Sequence, residues 1–127
     1  MKIIGTGIDI VENSRIKKSI KNDRFIKRIF SKKEISISKM KKNKLSFYAK
    51  RYAAKEAFVK SLGTGFRDKI NFKDITIVND KLGKPSFLIS ENVKKFIKKK
   101  FKTNIYKFFL SITDEKNYSI AMVIFQK

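Results

Sequence analysis

The sequence predicts an α+β fold, with helices packed on a mostly antiparallel sheet. Strand-like and helix-like segments are mixed without the regular alternation that builds a parallel sheet. One segment, KLSFYAKRYAAKEAFVKSL at 44–62, is rich in Ala, Leu, Lys and Glu and has no internal Gly or Pro, so it reads as a long helix. The stretches NIYKFFLSI and YSIAMVIF flank the polar TDEKN and read as a terminal hairpin.

The elements follow in order. Residues 2–12 are β-rich and read as a first strand with at least one covered face. Asn13 or Ser14 is a candidate cap for a helix starting near Arg15. In SRIKKSIKNDRFIKRIF, Ile16, Ile20, Phe25 and Ile29 point to a core, and Asp23 is a candidate cap for a second short helix. Ser31-Lys32-Lys33-Glu34 has the capping-box pattern of a further helix. Gly63 is the residue expected just past the end of the long helix. FKDITIV at 72–78 reads as a strand, NDKLG at 79–83 as a turn, and PSFLI at 85–89 as a second strand opened by the only proline. Ser90 is placed to cap a helix running to about residue 101.

Residues 1–127 are the length of one domain, and 42% hydrophobic residues supply a core. No apolar run is long enough to span a membrane, and the N-terminal MKIIGTGIDIVEN reads as a strand, not a leader. Cysteine is absent, which excludes disulfides and fits a cytoplasmic location. Histidine is absent too, so any metal must be held by oxygen, which favours magnesium or calcium. The formal charge of +21 points to an acidic or phosphorylated partner, although part of it reflects a lysine-rich and asparagine-rich composition throughout.

Two carboxylates stand out. Asp9 lies inside the apolar GIDIVE stretch, where a buried carboxylate needs a partner. From the strand alone, a satisfied structural carboxylate or an edge position is the commoner reading. Glu56 shares a helix face with Ala49, Tyr52, Ala53 and Lys60. Alone it is most simply a solvated glutamate spaced for Lys60. As a pair beside a sheet the two read differently, because they would repel unless a cation joined them. One or two carboxylates, with water and substrate phosphate, are what magnesium sites use.

Gly63-Thr64-Gly65 suggests close backbone approach to a ligand, or simply a helix stop. It is not a phosphate-binding P-loop, and a helix C-terminus repels anions, so a phosphate here would need Lys60 or nearby lysines. Lys84, in the 79–85 turn, could also touch a phosphate. Lys17, Lys21, Arg24 and Arg28 would form one basic stripe if their helix were continuous, and the region suits an acidic helix or a nucleic acid backbone.

These motifs together resemble the short bacterial-type 4′-phosphopantetheinyl transferases, the holo-[acyl-carrier-protein] synthase family. The resemblance covers GIDIVENSRI at 7–16, RFIKRIFSKKE at 24–34, KRYAAKEAFVKSLGTGF at 50–66, DITIVNDKLGKP at 74–85 and LSITDEKNYSIAMVI at 110–124. It implies the family's fold and transfer of the phosphopantetheine arm from coenzyme A to a serine of apo-acyl carrier protein. Adenosine 3′,5′-bisphosphate is the by-product, and the reaction supports fatty acid biosynthesis. It implies magnesium on Asp9 and Glu56, a homotrimer binding coenzyme A between subunits, and an acidic carrier protein docking at Arg15, Lys21 and Arg24. Neither nucleic acid nor membrane is an expected partner. Lys60 is the expected phosphate contact and, with Glu56, the expected catalytic residue. Arg51 and Lys84 are further candidates for nucleotide phosphates, and Gly63, Thr64 and Gly65 for close approach to coenzyme A. The general base is left open between Glu56 acting through water and a water on the metal. Many family members carry His where this chain has Asp114, which puts a His contact to coenzyme A in doubt. The alternative is a small basic module binding nucleic acid, with Phe47, Tyr48 and Tyr52 as stacking rings and both carboxylates structural.

Overall fold

The computed structural model describes residues 1–64 and 70–127. Strand β1 (Ile3–Glu12) leads into three short helices, α1 (Asn13–Ser19), α2 (Asp23–Ile29) and α3 (Lys32–Ser38), and then into the long helix α4 (Lys44–Ser61). A 3-10 turn at Phe72–Asp74 precedes β2 (Ile75–Asn79) and β3 (Pro85–Ile89). Helix α5 (Glu91–Phe101) and the hairpin β4 (Lys107–Asp114) and β5 (Tyr118–Gln126) complete the chain. One sheet has the order β1-β5-β4, the other pairs β2 with β3, and every pairing is antiparallel.

The long helix α4 packs on the inner face of β1 and β5. Its Ala49, Ala53 and Ala57 are fully buried, as are Ala121 and Val123 of β5. The approach is close because β1 carries two glycines on that face. A Cβ at Gly5 would fall 1.9 Å from the Ser61 carbonyl oxygen, and one at Gly7 would fall 1.9 Å from that of Ala57. Alternation along β1 then places Asp9 on this same inner face, two residues beyond Gly7. The outer face is apolar and exposed: Ile8 is 62% and Ile10 58% exposed, and Ile8 pairs across the strands with Met122.

Several local expectations hold. Ser31 and Glu34 form the reciprocal capping box of α3, Ser90 caps α5, and Gly63 takes a positive φ of 75° after α4. Others need correction. Neither Asn13 nor Ser14 caps α1; Glu12 precedes it without a side-chain cap. The Asn13 amide instead donates to the carbonyls of Glu115 and Lys116 and accepts from Ser119, tying α1 to the β4–β5 turn. The α2 cap is Asn22, not Asp23. FKD at 72–74 is a 3-10 turn, so the strand begins only at Ile75. The basic stripe is not continuous, because the chain leaves the helix between Ser19 and Asp23.

Candidate active site

Asp9 and Glu56 meet where β1 faces α4. Lys60, one turn beyond Glu56, donates from Nζ to Asp9 Oδ1 and to the Ile8 carbonyl, both at 3.0 Å. Only 15% of the Asp9 side chain is exposed, against 51% for Lys60. Burial pushes the Glu56 carboxyl up, and the Asp9 charge pushes it further, while Lys60 and a hydrogen bond from Tyr52 pull it down. Burial and the Asp9 charge together outweigh Lys60 and Tyr52, so Glu56 holds its proton more tightly than a free carboxyl.

Among the described residues, no group of three or more acidic, histidine or cysteine side chains could hold a metal. The pair therefore offers only two carboxylates, all-oxygen donors, with the rest of a coordination sphere left to water and ligand. That donor set fits magnesium. It does not fit zinc, which prefers nitrogen or sulfur.

The neighbouring lysine of the same helix has a different job. Lys55 is fully buried, and its ammonium donates to Glu34 and to the carbonyls of Ile29, Phe72 and Ile75 at 2.6–3.0 Å. Burial lowers its pKa against the pull of Glu34. Glu34 also accepts from the backbone amides of Ser31 and Ile77. Breaking such a pair leaves an uncompensated buried charge, at a cost of about 3–5 kcal/mol. The sequence reading treated Glu34 only as a cap and did not single out Lys55. The available signal was that Lys55 is flanked one turn away by Tyr52, Phe58 and Val59, with only Arg51 as a charged neighbour.

The remaining candidates separate into other places. Arg51 is 6% exposed; its guanidinium lies 3.6 Å from the centre of the Phe47 ring and donates to the Phe47 carbonyl and to Asn79. It lines a cavity of about 520 Å³ together with Lys41, Lys42, Lys50, Asp80 and Asp114. Its lining includes Arg51 but none of Asp9, Glu56 and Lys60, so this cavity and the carboxylate pair are distinct. Lys84 is exposed, and its flanking residues Gly83 and Pro85 line that cavity. Asp114 is held by the Ser46 hydroxyl at 2.8 Å on the cavity wall. Gly63 and Thr64 follow the end of α4, and Gly65 lies outside the described residues. Arg15, Lys21 and Arg24 are all exposed, and the Arg15 charge reaches Tyr52 at the edge of the pair. Phe47 and Tyr48 are each 4% exposed, which removes them as stacking rings for a nucleic acid. No helix of the described residues is long and apolar enough to cross a membrane.

Residues 5–123 match the family model of the 4′-phosphopantetheinyl transferase superfamily. A holo-[acyl-carrier-protein] synthase from Pelagibacter ubique (strain HTCC1062) is 63% identical over 127 residues, covering all of this chain and 99% of that protein. Crystal structures agree. The holo-[acyl-carrier-protein] synthase from Neisseria meningitidis superposes with a TM-score of 0.91 at 35% identity, covering 99% of this chain and all of that one. The Helicobacter pylori enzyme in complex with coenzyme A gives 0.81 at 31% identity, covering 95% and 99%. A strand carboxylate beside a helix Glu and Lys, on a chain alike from end to end, places this protein among the holo-[acyl-carrier-protein] synthases of the 4′-phosphopantetheinyl transferase superfamily.

Proposed function

We propose that this enzyme moves the 4′-phosphopantetheine arm of coenzyme A onto a serine of apo-acyl carrier protein, releasing adenosine 3′,5′-bisphosphate, and that the reaction requires magnesium. The observation that carries this is the placement of Asp9, held by Lys60 at 3.0 Å, within reach of the Glu56 charge on the same helix as Lys60. Asp9 and Glu56 would hold the ion, which when bound neutralises charge on the pyrophosphate oxygens. The chain's own residues do the rest by position and charge. Lys60 reaches the same space on a long stem and is the direct phosphate contact. Gly63, Thr64 and Gly65 let the backbone come close to coenzyme A. Glu56 is the candidate to take the serine proton through water.

The cationic cavity at Arg51 takes the nucleotide phosphates, with Lys84 at its rim. Because its lining holds neither Asp9 nor Glu56, on this reading the site is completed between copies of the chain. The exposed apolar face at Ile8, Ile10 and Met122 supports this, because a contiguous apolar surface of that kind is suited to an interface. The homotrimer, a cytoplasmic location and a place in fatty acid biosynthesis belong to the same reading. Arg15, Lys21 and Arg24 are exposed, the Arg15 charge reaches Tyr52, and this basic surface is where an acidic carrier protein would dock to present its serine.

The test is incubation with apo-acyl carrier protein, coenzyme A and magnesium. The carrier protein gains the mass of the phosphopantetheine arm, and chelation stops the gain. An unchanged mass, or gain that survives chelation, overturns the corresponding half of the proposal.

A further inference from the structure

We propose that Asn13 is a positioning residue for carrier-protein docking, latching the first turn of α1 to the β4–β5 turn so that Arg15 is presented at a fixed place. The inference rests on the docking reading above and adds a residue that reading does not use.

Helix α1 has little of its own to hold its start. It is seven residues long, shorter than a helix that stands by itself in water. Glu12 before it gives no side-chain cap, and its first turn carries no acidic side chain to favour the free amides. Arg15, Lys17 and Lys18 set like charges along it, all exposed. Its order must come from tertiary contacts. Ile16, 4% exposed, anchors it in the apolar core. Asn13 anchors its first turn by polar contacts.

Three successive carbonyls of the β4–β5 turn converge on Asn13. Its side-chain amide donates to those of Glu115 and Lys116, both at 3.1 Å, and its backbone amide donates to that of Asn117 at 2.8 Å. From the other side, the Ser119 hydroxyl donates to Asn13 Oδ1 at 2.8 Å. Asn13 is 7% exposed and Ser119 is fully buried, so a lost partner here is not simply replaced by water. The turn is closed by bonds of its own. The Glu115 amide donates to the Tyr118 carbonyl, and the Asn117 amide to the Glu115 carboxylate.

An ordinary cap would stabilise the end of α1 without fixing where that end lies on the sheet. The Asn13 latch does both, because its partners belong to the β4–β5 hairpin. Arg15 follows two residues later and is exposed, so the place of its guanidinium is inherited from this first turn. Recognition of an acidic partner by surface charge depends on the register of those charges as well as their sign.

A double-mutant cycle between Asn13 and Arg15 tests this, read as the KM for apo-acyl carrier protein at saturating coenzyme A and magnesium, well below the melting temperature. Asn13→Ala and Arg15→Ala are each expected to raise that KM several-fold. The double variant should rise little beyond Arg15→Ala alone, because Asn13 acts through Arg15. The KM for coenzyme A does not move in Asn13→Ala. A lowered melting temperature with a wild-type carrier KM would make Asn13 structural only, and the docking reading would stand without it. Effects that simply add would also overturn the inference. If Arg15→Ala itself leaves the carrier KM unchanged, the docking reading fails and the inference falls with it. Should Asn13→Ala not fold, Ser119→Ala, which removes only the bond to Oδ1, takes its place in the cycle with the same outcomes.

Discussion

The Lys60 ammonium lies 3.0 Å from the Asp9 carboxylate and 3.0 Å from the Ile8 carbonyl, so a cation already joins helix to strand at the site. A divalent ion would be drawn to the same carboxylate. Lys60→Met is therefore expected to lower kcat about 100-fold, the size of one lost charged contact in a transition state. It should at the same time tighten Mn²⁺ binding, because the competing ammonium is gone. Weaker Mn²⁺ binding in this variant would mean that Lys60 organises Asp9 instead of competing for it.

Asp9→Ala and Glu56→Ala are each expected to reduce transfer by about 1000-fold or more, the range of a lost electrostatic stabiliser. Circular dichroism should show an unaltered fold, since neither side chain belongs to the apolar core. Wild-type rates for either variant at limiting magnesium would refute the metal assignment.

The raised Glu56 carboxyl has a consequence for stability. A carboxyl that holds its proton more tightly folded than unfolded stabilises the fold less as pH rises through that interval, and the deficit persists above it. Glu56→Gln removes the deficit. In metal-free buffer at neutral pH the variant should melt above wild type, and the gap should close as pH falls through the ordinary carboxylic-acid range. Magnesium should then raise the melting temperature of wild type and not of the variant. Calorimetry across pH, with and without metal, checks both signs.

Gly7→Ala tests the close approach of α4. The added methyl would meet the Ala57 carbonyl oxygen at 1.9 Å, which only movement of the helix or strand relieves. Such overpacking costs about 1–3 kcal/mol, and the shift moves Asp9 relative to Glu56. Urea denaturation should show the lost stability, and transfer activity should fall more than stability alone accounts for. A variant with wild-type activity would show that the site tolerates a wider strand–helix spacing.

Charge reversal at Arg15, Lys21 or Arg24 should raise the KM for the carrier protein several-fold and steepen with lower salt, as expected for exposed charges that steer an acidic partner. The KM for coenzyme A should not move. Equal changes for both substrates would place these residues in the coenzyme A site instead.

Much of this was readable in the sequence. The α+β class, α4 with its glycine stop, the Ser31 and Ser90 caps and both hairpins follow from local pattern alone. Asp9 and Glu56 could be singled out as residues, but their meeting depends on Gly5 and Gly7 admitting the helix, a tertiary fact that no local pattern encodes. Asn13 misled for a related reason. Its type suits a helix cap, yet the β4–β5 turn 102 residues away takes its amide. Tyr52 was read as a core or stacking ring, because periodicity reports the side of a helix and not the hydroxyl at its edge. Lys55 and Glu34 were invisible as a pair, since 21 residues separate them and each is common on helix surfaces.

Lys55 precedes Glu56 directly, and successive helix residues point about 100° apart. Four acceptors from the end of α2, the capped start of α3, the 3-10 turn and β2 surround the Lys55 ammonium and tie α4 to each of those segments. The angle at which Glu56 faces β1 is therefore set together with that of a neighbour about 100° around the helix. An axial twist of α4 that misaimed the carboxylate would also pull the Lys55 ammonium away from Glu34, so the buried ion pair and the aim of Glu56 stand or fall together.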